Sequence, residues 1–560
     1  MTLRSLKFGA MALAATAAAC TGNISGPDGG GPGTDGVVPG APGSPGAVVT
    51  AATGKLNLHG SPTYFRVVRL TNEQWTNSAQ SVLRLPAPPT HAEAFQNAVS
   101  GTTDFTNNEL VLAVDGRAWS DYQAAAEALA AQVTSDPALL SQLHAGTDGP
   151  GFIAAVGRRV HRRPLTAAET AQYQQLFDLG ATLSGTQSAF AKGAQVVLEA
   201  MLQSPHFLYR SELGAAGSPL SGYEMAAKLS LWLRNTAPDD ALLDAAAGPG
   251  KLDTPEGAAA LARKMLDEPA ARAVMRRFHG EFLHFDRYAT LSKVGVPNYD
   301  PAINAELAES SFLFFDRIFS QGLGLKDVFL STSGFVGPNM AKLYGGGVTA
   351  PASGFVERDL GPGRLGYFLQ LPFLVLYSHN DEPDPIHRGV SMSLDVLCAP
   401  LGPPAAVIPP LPMAKPGQTN RMRVDEHTKV CGSACHNSMI NPLGFAFENF
   451  DGMGQFRETE QNGSETLPID SSASFDFVGG TKSYRDAVEL MNVVASDQQS
   501  HLCYSKKLAS FGLQRDIVEA DLPLLANLAS ISSSSGGSVK QVLVDLVKQD
   551  KFRIRAGGAP

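Results

Sequence analysis

Helix-start signals recur along the body of this 560-residue chain, and they constrain its fold more than any other feature. Thr71 and Gln74, Thr166 and Glu169, and Ser221 and Glu224 each stand at capping-box spacing. In that arrangement the hydroxyl accepts from the third helical amide while the acid or amide side chain reaches back. Thr254-Pro255 puts a capping residue before a proline at the first helical position, where its missing N–H is not needed. Behind these starts apolar residues recur at helical spacing, as in Tyr223, Ala226, Leu229, Leu231 and Leu233, or Leu307, Phe312, Phe315 and Ile318. Strand alternation is scarce, so the sequence predicts an all-α, multi-module helical body with long irregular connections in the C-terminal third.

Gly/Pro breaks at Gly214 to Pro219, Gly345 to Pro351 and Gly402 to Pro416 divide that body, and no repeat of fixed period is apparent. The reading gives helical modules at 54–118, 119–215 and 216–347, a Cys-His module at 348–462 and a C-terminal helical module at 463–560. With 44% hydrophobic residues the chain can bury a large core. A net charge of −9 supplies no basic field for nucleic acid. Beyond the N-terminus the longest apolar stretch, Leu365 to Tyr377, is 13 residues and is broken by Gln370 and Pro372. A spanning helix needs about 20.

Residues 1–20 read as a lipoprotein signal. Arg4 and Lys7 form a positive segment, Phe8 to Ala19 an apolar one, and Ala17-Ala18-Ala19 the small residues before Cys20. A cysteine at that place resembles a lipobox, although Ala17 stands where leucine is usual. The alternative is an ordinary secretory signal cleaved near Ala19. Thr21 to Thr50 then holds ten Gly and five Pro. Such a stretch, 21–53 in all, cannot gather a core and reaches roughly 30 Å as a tether. The expectation is an exported protein of the bacterial cell envelope, anchored to a membrane by lipid at Cys20.

Cys431, Cys435 and His436 give Cys-x3-Cys-His, one residue longer than the Cys-x2-Cys-His of covalent c-type haem attachment. On a helix, four steps of 100° return to within about 40° of the start, so both sulfurs can share one face. Three chemistries fit. The thiols can hold haem c with His436 on the iron; they can be oxidised, as an exported compartment allows; or, with His427 and His436, they can hold another metal. For the sixth iron position the candidates are Met439, Met453, His427, His387 and His379; Met453 has the reach, His387 is the distant alternative, and Met439 stands too close to His436. The aromatic cluster Phe445, Phe447, Phe450 and Phe456 can wall a haem or be ordinary core.

Other polar elements have plainer readings. Arg162 and Arg163 are expected to pair with carboxylates at a module interface, with a substrate-facing role as the alternative, and Glu306 and Glu309 to lie on a solvated face, with an acid/base pair as the alternative. No Walker loop, dinucleotide glycine motif, His-Glu-x-x-His or Gly-x-Ser-x-Gly element is present, so no catalytic residue is assigned.

The chain also resembles a known family. Arg69-Leu70-Thr71-Asn72-Glu73-Gln74-Trp75, His161-Arg162-Arg163-Pro164-Leu165 and Ser204-Pro205-His206-Phe207-Leu208-Tyr209-Arg210 carry the resemblance in the first half. Leu229 to Asp240, Pro385-Ile386-His387-Arg388-Gly389, and Asn441-Pro442-Leu443-Gly444-Phe445 through Glu448-Asn449-Phe450-Asp451 carry it in the second. These are similar to an exported multi-module family of adjoining domains of unknown function, of planctomycete and myxobacterial type and often associated with cytochrome c domains. The departure is the Cys spacing. The resemblance implies no agreed activity, and its cytochrome association points toward electron transfer.

Two functions are therefore expected from the sequence. One is a lipid-anchored c-type haem redox protein exchanging electrons with an exported partner. The other is a non-catalytic helical surface lipoprotein, its cysteines oxidised, that binds a partner or polymer. If Cys431 and Cys435 are used together, Cys398 and Cys503 are left and are predicted to pair, with buried free thiols as the alternative.

Overall fold

The computed structural model describes residues 55–58, 66–98, 103–296, 299–344, 347–380, 382–402, 410–429 and 435–555. The signal with Cys20, the tether and Cys431 lie outside the described residues. The body is mostly helical, and its strands form four two-stranded antiparallel ribbons. The capping boxes at Thr71, Thr166 and Ser221 are formed, and Thr254 caps the helix Pro255–Leu266. Each hydroxyl satisfies an amide that the first helical turn would otherwise leave unpaired. No helix among the described residues is long and apolar enough to cross a membrane.

Apolar burial divides the molecule into two cores. The smaller runs from Leu70 to Leu208, closed by Leu231 and Ala237, and is built on the helices Asn72–Leu83, Gly116–Ser135, Gly149–His161, Ala167–Ala181 and Ala189–Leu202. The larger collects residues from Leu220 to Phe552 and recruits Leu56 and Phe105 from the first part of the chain. Five modules expected in series thus share two hydrophobic interiors. The 118/119 limit falls inside Gly116–Ser135, whose start is set by Asp115 accepting from Ala118 N. The 462/463 limit falls in the turn of the hairpin Thr459–Asn462 with Glu465–Pro468.

A buried charged cluster joins the two cores. Glu212 accepts from Arg210 and, at 2.9 Å, from Lys228, which also donates to the Phe552 carbonyl at 2.7 Å. Burial lowers Lys228 to about 8 against the pull of Glu212. Gln74 Nε2 donates to Leu231 O at 2.8 Å and Asn107 Nδ2 to Phe511 O at 2.9 Å. In the larger core a disulfide joins Cys398 to Cys503. Cys503 lies within the helix Gln498–Leu513, where Asp497 supplies the cap.

Candidate functional site

The Cys-His segment begins on the helix Asn420–Thr428, capped by Thr419, whose hydroxyl accepts from Met422 N at 3.2 Å. Cys435 precedes a π-helical turn, His436–Ile440, which runs into the short helix Asn441–Phe445. Asn441-Pro442 is therefore a helix start and not the turn its residue types predict. Proline is tolerated there because the first helical turn does not use its N–H. The helix Asn420–Thr428 stops before the cysteines, so the described residues carry no continuous helix through Cys435.

A directional hydrogen-bond chain orients His436. The Thr428 hydroxyl donates to Val424 O at 2.8 Å, which leaves its oxygen to accept from Asn441 Nδ2 at 2.9 Å. Asn441 Oδ1 then faces His436 Nδ1 at 3.1 Å and can only accept from it. In the neutral imidazole this arrangement puts the proton on Nδ1 and leaves Nε2 as the acceptor. Cys435 and His436 are both half-buried.

The support beneath this turn is made of backbone. An ideal Cβ on Gly444 would lie 1.8 Å from Pro385 O, and one on Gly389 would lie 2.1 Å from Ile440 O. Arg388, wholly buried, donates to the carbonyls of Leu374, Tyr377, Phe447, Phe450 and Asp451 at 2.8–3.0 Å. Burial lowers this guanidinium to about 10, with Glu448 and Asp384 pulling the other way. Ser393 Oγ donates to Met439 O at 2.6 Å.

The other candidate ligands lie on several elements. His387 is held by Asp384, which also caps the helix Pro385–Ser391 and lies 3.3 Å from His379 Nε2. The Asp384 hydrogen bond raises His387 above its ordinary value. Met453 is buried in the larger core, its amide donating to Asp451 Oδ1 at 2.8 Å. Of the aromatic cluster, Phe445, Phe447 and Phe450 are buried, whereas Phe456 is 61% exposed. His427 lies in the last turn of the helix Asn420–Thr428.

Two sequence readings outside this segment are corrected. Among the described residues Arg162 pairs with no carboxylate. It is the left-handed residue closing Gly149–His161, and it donates to the carbonyls of His206, Phe207 and Tyr209. Arg163 does take a carboxylate, that of Glu169, at 2.7 and 2.9 Å within its own module. Glu306 and Glu309 are not a solvated face. Glu306 accepts from the amides of Asn339 and Met340, and Glu309 pairs with Arg276.

Five family models, each described as a protein of unknown function, match in series: DUF1587 over 69–135, DUF1595 over 150–212, DUF1592 over 220–345, DUF1588 over 364–460 and DUF1585 over 480–552. The chain belongs to this multi-module family. No curated protein and no solved structure matches the chain. Within the family's DUF1588 range lie the glycine contact, the Arg388 hub and the Thr428–Asn441–His436 chain. The DUF1595 range holds His161, Glu169 and His206, which sequence reasoning left without a role. Their signal was two histidine-bearing motifs in one module, but nothing in their spacing shows that they meet.

Proposed function

We propose that the protein is an exported, lipid-anchored redox protein that holds haem c through Cys431, Cys435 and His436. The observation that supports this reading is the Thr428–Asn441–His436 chain. It gives His436 Nδ1 a side-chain acceptor and leaves Nε2 without one, as partners of metal-ligating histidines do. Bound there, haem would supply a one-electron couple for exchange with an exported partner. The protein's part would be to hold the imidazole still, through the Gly389 and Gly444 contact and the Arg388 hub that support this turn.

The test is expression of the full chain in a host with cytochrome c maturation. A red product is expected, with a Soret band and haem that survives acid-acetone extraction. Asn441→Leu should keep the haem and change its midpoint potential, and His436→Ala should lose the native ligation spectrum. A colourless wild-type protein, or a spectrum unchanged in His436→Ala, overturns the reading. A colourless product would leave the non-catalytic surface lipoprotein that binds a partner or polymer.

A further inference from the structure

The two histidine-bearing motifs of the smaller core converge. His161 ends the helix Gly149–His161, Glu169 lies in the first turn of Ala167–Ala181, and His206 lies in the short helix Pro205–Leu208. Glu169 Oε1 is 3.5 Å from His161 Nδ1 and 3.5 Å from His206 Nε2. All three atoms fall within 4.8 Å of one another. The His161 side chain is 1% exposed, yet its Nδ1 makes no hydrogen bond while Nε2 meets the Tyr173 hydroxyl at 3.0 Å. Arg162 holds the carbonyls of His206, Phe207 and Tyr209, and so fixes His206 beside His161.

We infer that His161, His206 and Glu169 bind a zinc-like transition cation through two imidazoles and one carboxylate. A tetrahedral ion with bonds of about 2.0–2.2 Å has ligand–ligand edges of about 3.3–3.6 Å, which the two 3.5 Å separations match. This donor set leaves a fourth position for water or a substrate oxygen. Imidazole donors select zinc, cobalt or nickel over calcium and magnesium. Tyr173, accepting from Nε2–H, sets the tautomer that presents the Nδ1 lone pair. The two rings stack at 4.3 Å and 25°, and they open on binding, with His206 the more exposed and the freer to turn. Arg163 occupies both Glu169 oxygens, so it competes with the ion for the carboxylate. It also brings a positive charge beside an anion in the open position.

The experiment uses the full chain carrying Cys431→Ser and Cys435→Ser, which removes thiolate ligands elsewhere and makes the outcome independent of haem. After chelator treatment it is titrated with Zn²⁺ by calorimetry and with Co²⁺ by visible absorption. One equivalent of Zn²⁺ and a cobalt d–d band are expected. His206→Gln, at a partly exposed position, should weaken Zn²⁺ binding at least tenfold, and Tyr173→Phe by about tenfold. Absence of Zn²⁺ uptake, or one equivalent bound with unchanged affinity in both His206→Gln and His161→Gln, overturns the inference.

Discussion

Gly389 and Gly444 touch backbone to backbone. A methyl group on Gly444 would sit 1.8 Å from the Pro385 oxygen and 3.2 Å from the Gly389 nitrogen, so nothing flexible is available to yield. The contact joins the helix Pro385–Ser391 to the helix Asn441–Phe445, and it sets the position of Asn441 and thereby the His436 imidazole.

Gly444→Ala should destabilise the fold by about 1–3 kcal/mol or more, because the added carbon meets main chain on both sides. Gly479→Ala, with open space at its Cβ, serves as the control and should stay within about 0.5 kcal/mol of wild type. Urea unfolding followed by circular dichroism measures both. Equal midpoints for Gly444→Ala and wild type would show that the two helices separate freely.

Glu448 is buried beside Glu460 and Arg457, with Asn420 Nδ2 at 3.3 Å from both its oxygens. Burial pushes it up to about 7 from an ordinary 4.5, with Arg457 opposing. The folded state thus keeps a proton that the unfolded chain releases, and stability falls as pH rises through that window. Glu448→Gln should match wild type near pH 4.5 and exceed it at pH 8 by on the order of 1–3 kcal/mol. A difference that does not grow with pH, measured by denaturation at both values, refutes this.

The Cys398–Cys503 bond spans a sequence separation of 105. The double variant Cys398→Ser, Cys503→Ser should lose about 2–4 kcal/mol, chiefly by freeing the unfolded chain. Both sulfurs are buried, so a thiol reagent added with reductant should label neither residue until denaturant is present. Non-reducing peptide mapping that links either cysteine to Cys435 would contradict the pairing.

Helix starts were legible because they depend on neighbours three residues apart. Thr71, Thr166, Ser221 and Thr254 each cap the helix their local sequence predicts. The hairpins had a local signal too: Asn462-Gly463 is a turn dipeptide, and Gly463 adopts φ 60°. What the sequence did not reveal rests on distant partners. Arg162 sits beside Arg163, yet one satisfies carbonyls 44 to 47 residues away and the other a carboxylate six away. Residue type gives no hint of that division. At the candidate site, the Cys-x3-Cys-His spacing marked His436 as a candidate, while no residue type or spacing pointed to the Asn441 side chain that meets its Nδ1 at 3.1 Å.

The charged junction between the cores also dictates an order of assembly. Residues 70–208 close their interior largely among themselves, so this half can condense as soon as it is synthesised. The larger interior cannot, since Lys228 must wait for the Phe552 carbonyl, 324 positions later, and the helix Pro255–Leu266 must wait for Val539–Lys548. Until then the apolar faces around Leu229 and Phe278 have no cover. Excising 220–345 by its family limits would leave those faces permanently open. The family limits at 220, 345, 364, 460 and 480 all cut across one interior, so a fragment drawn to them is a fraction of a core.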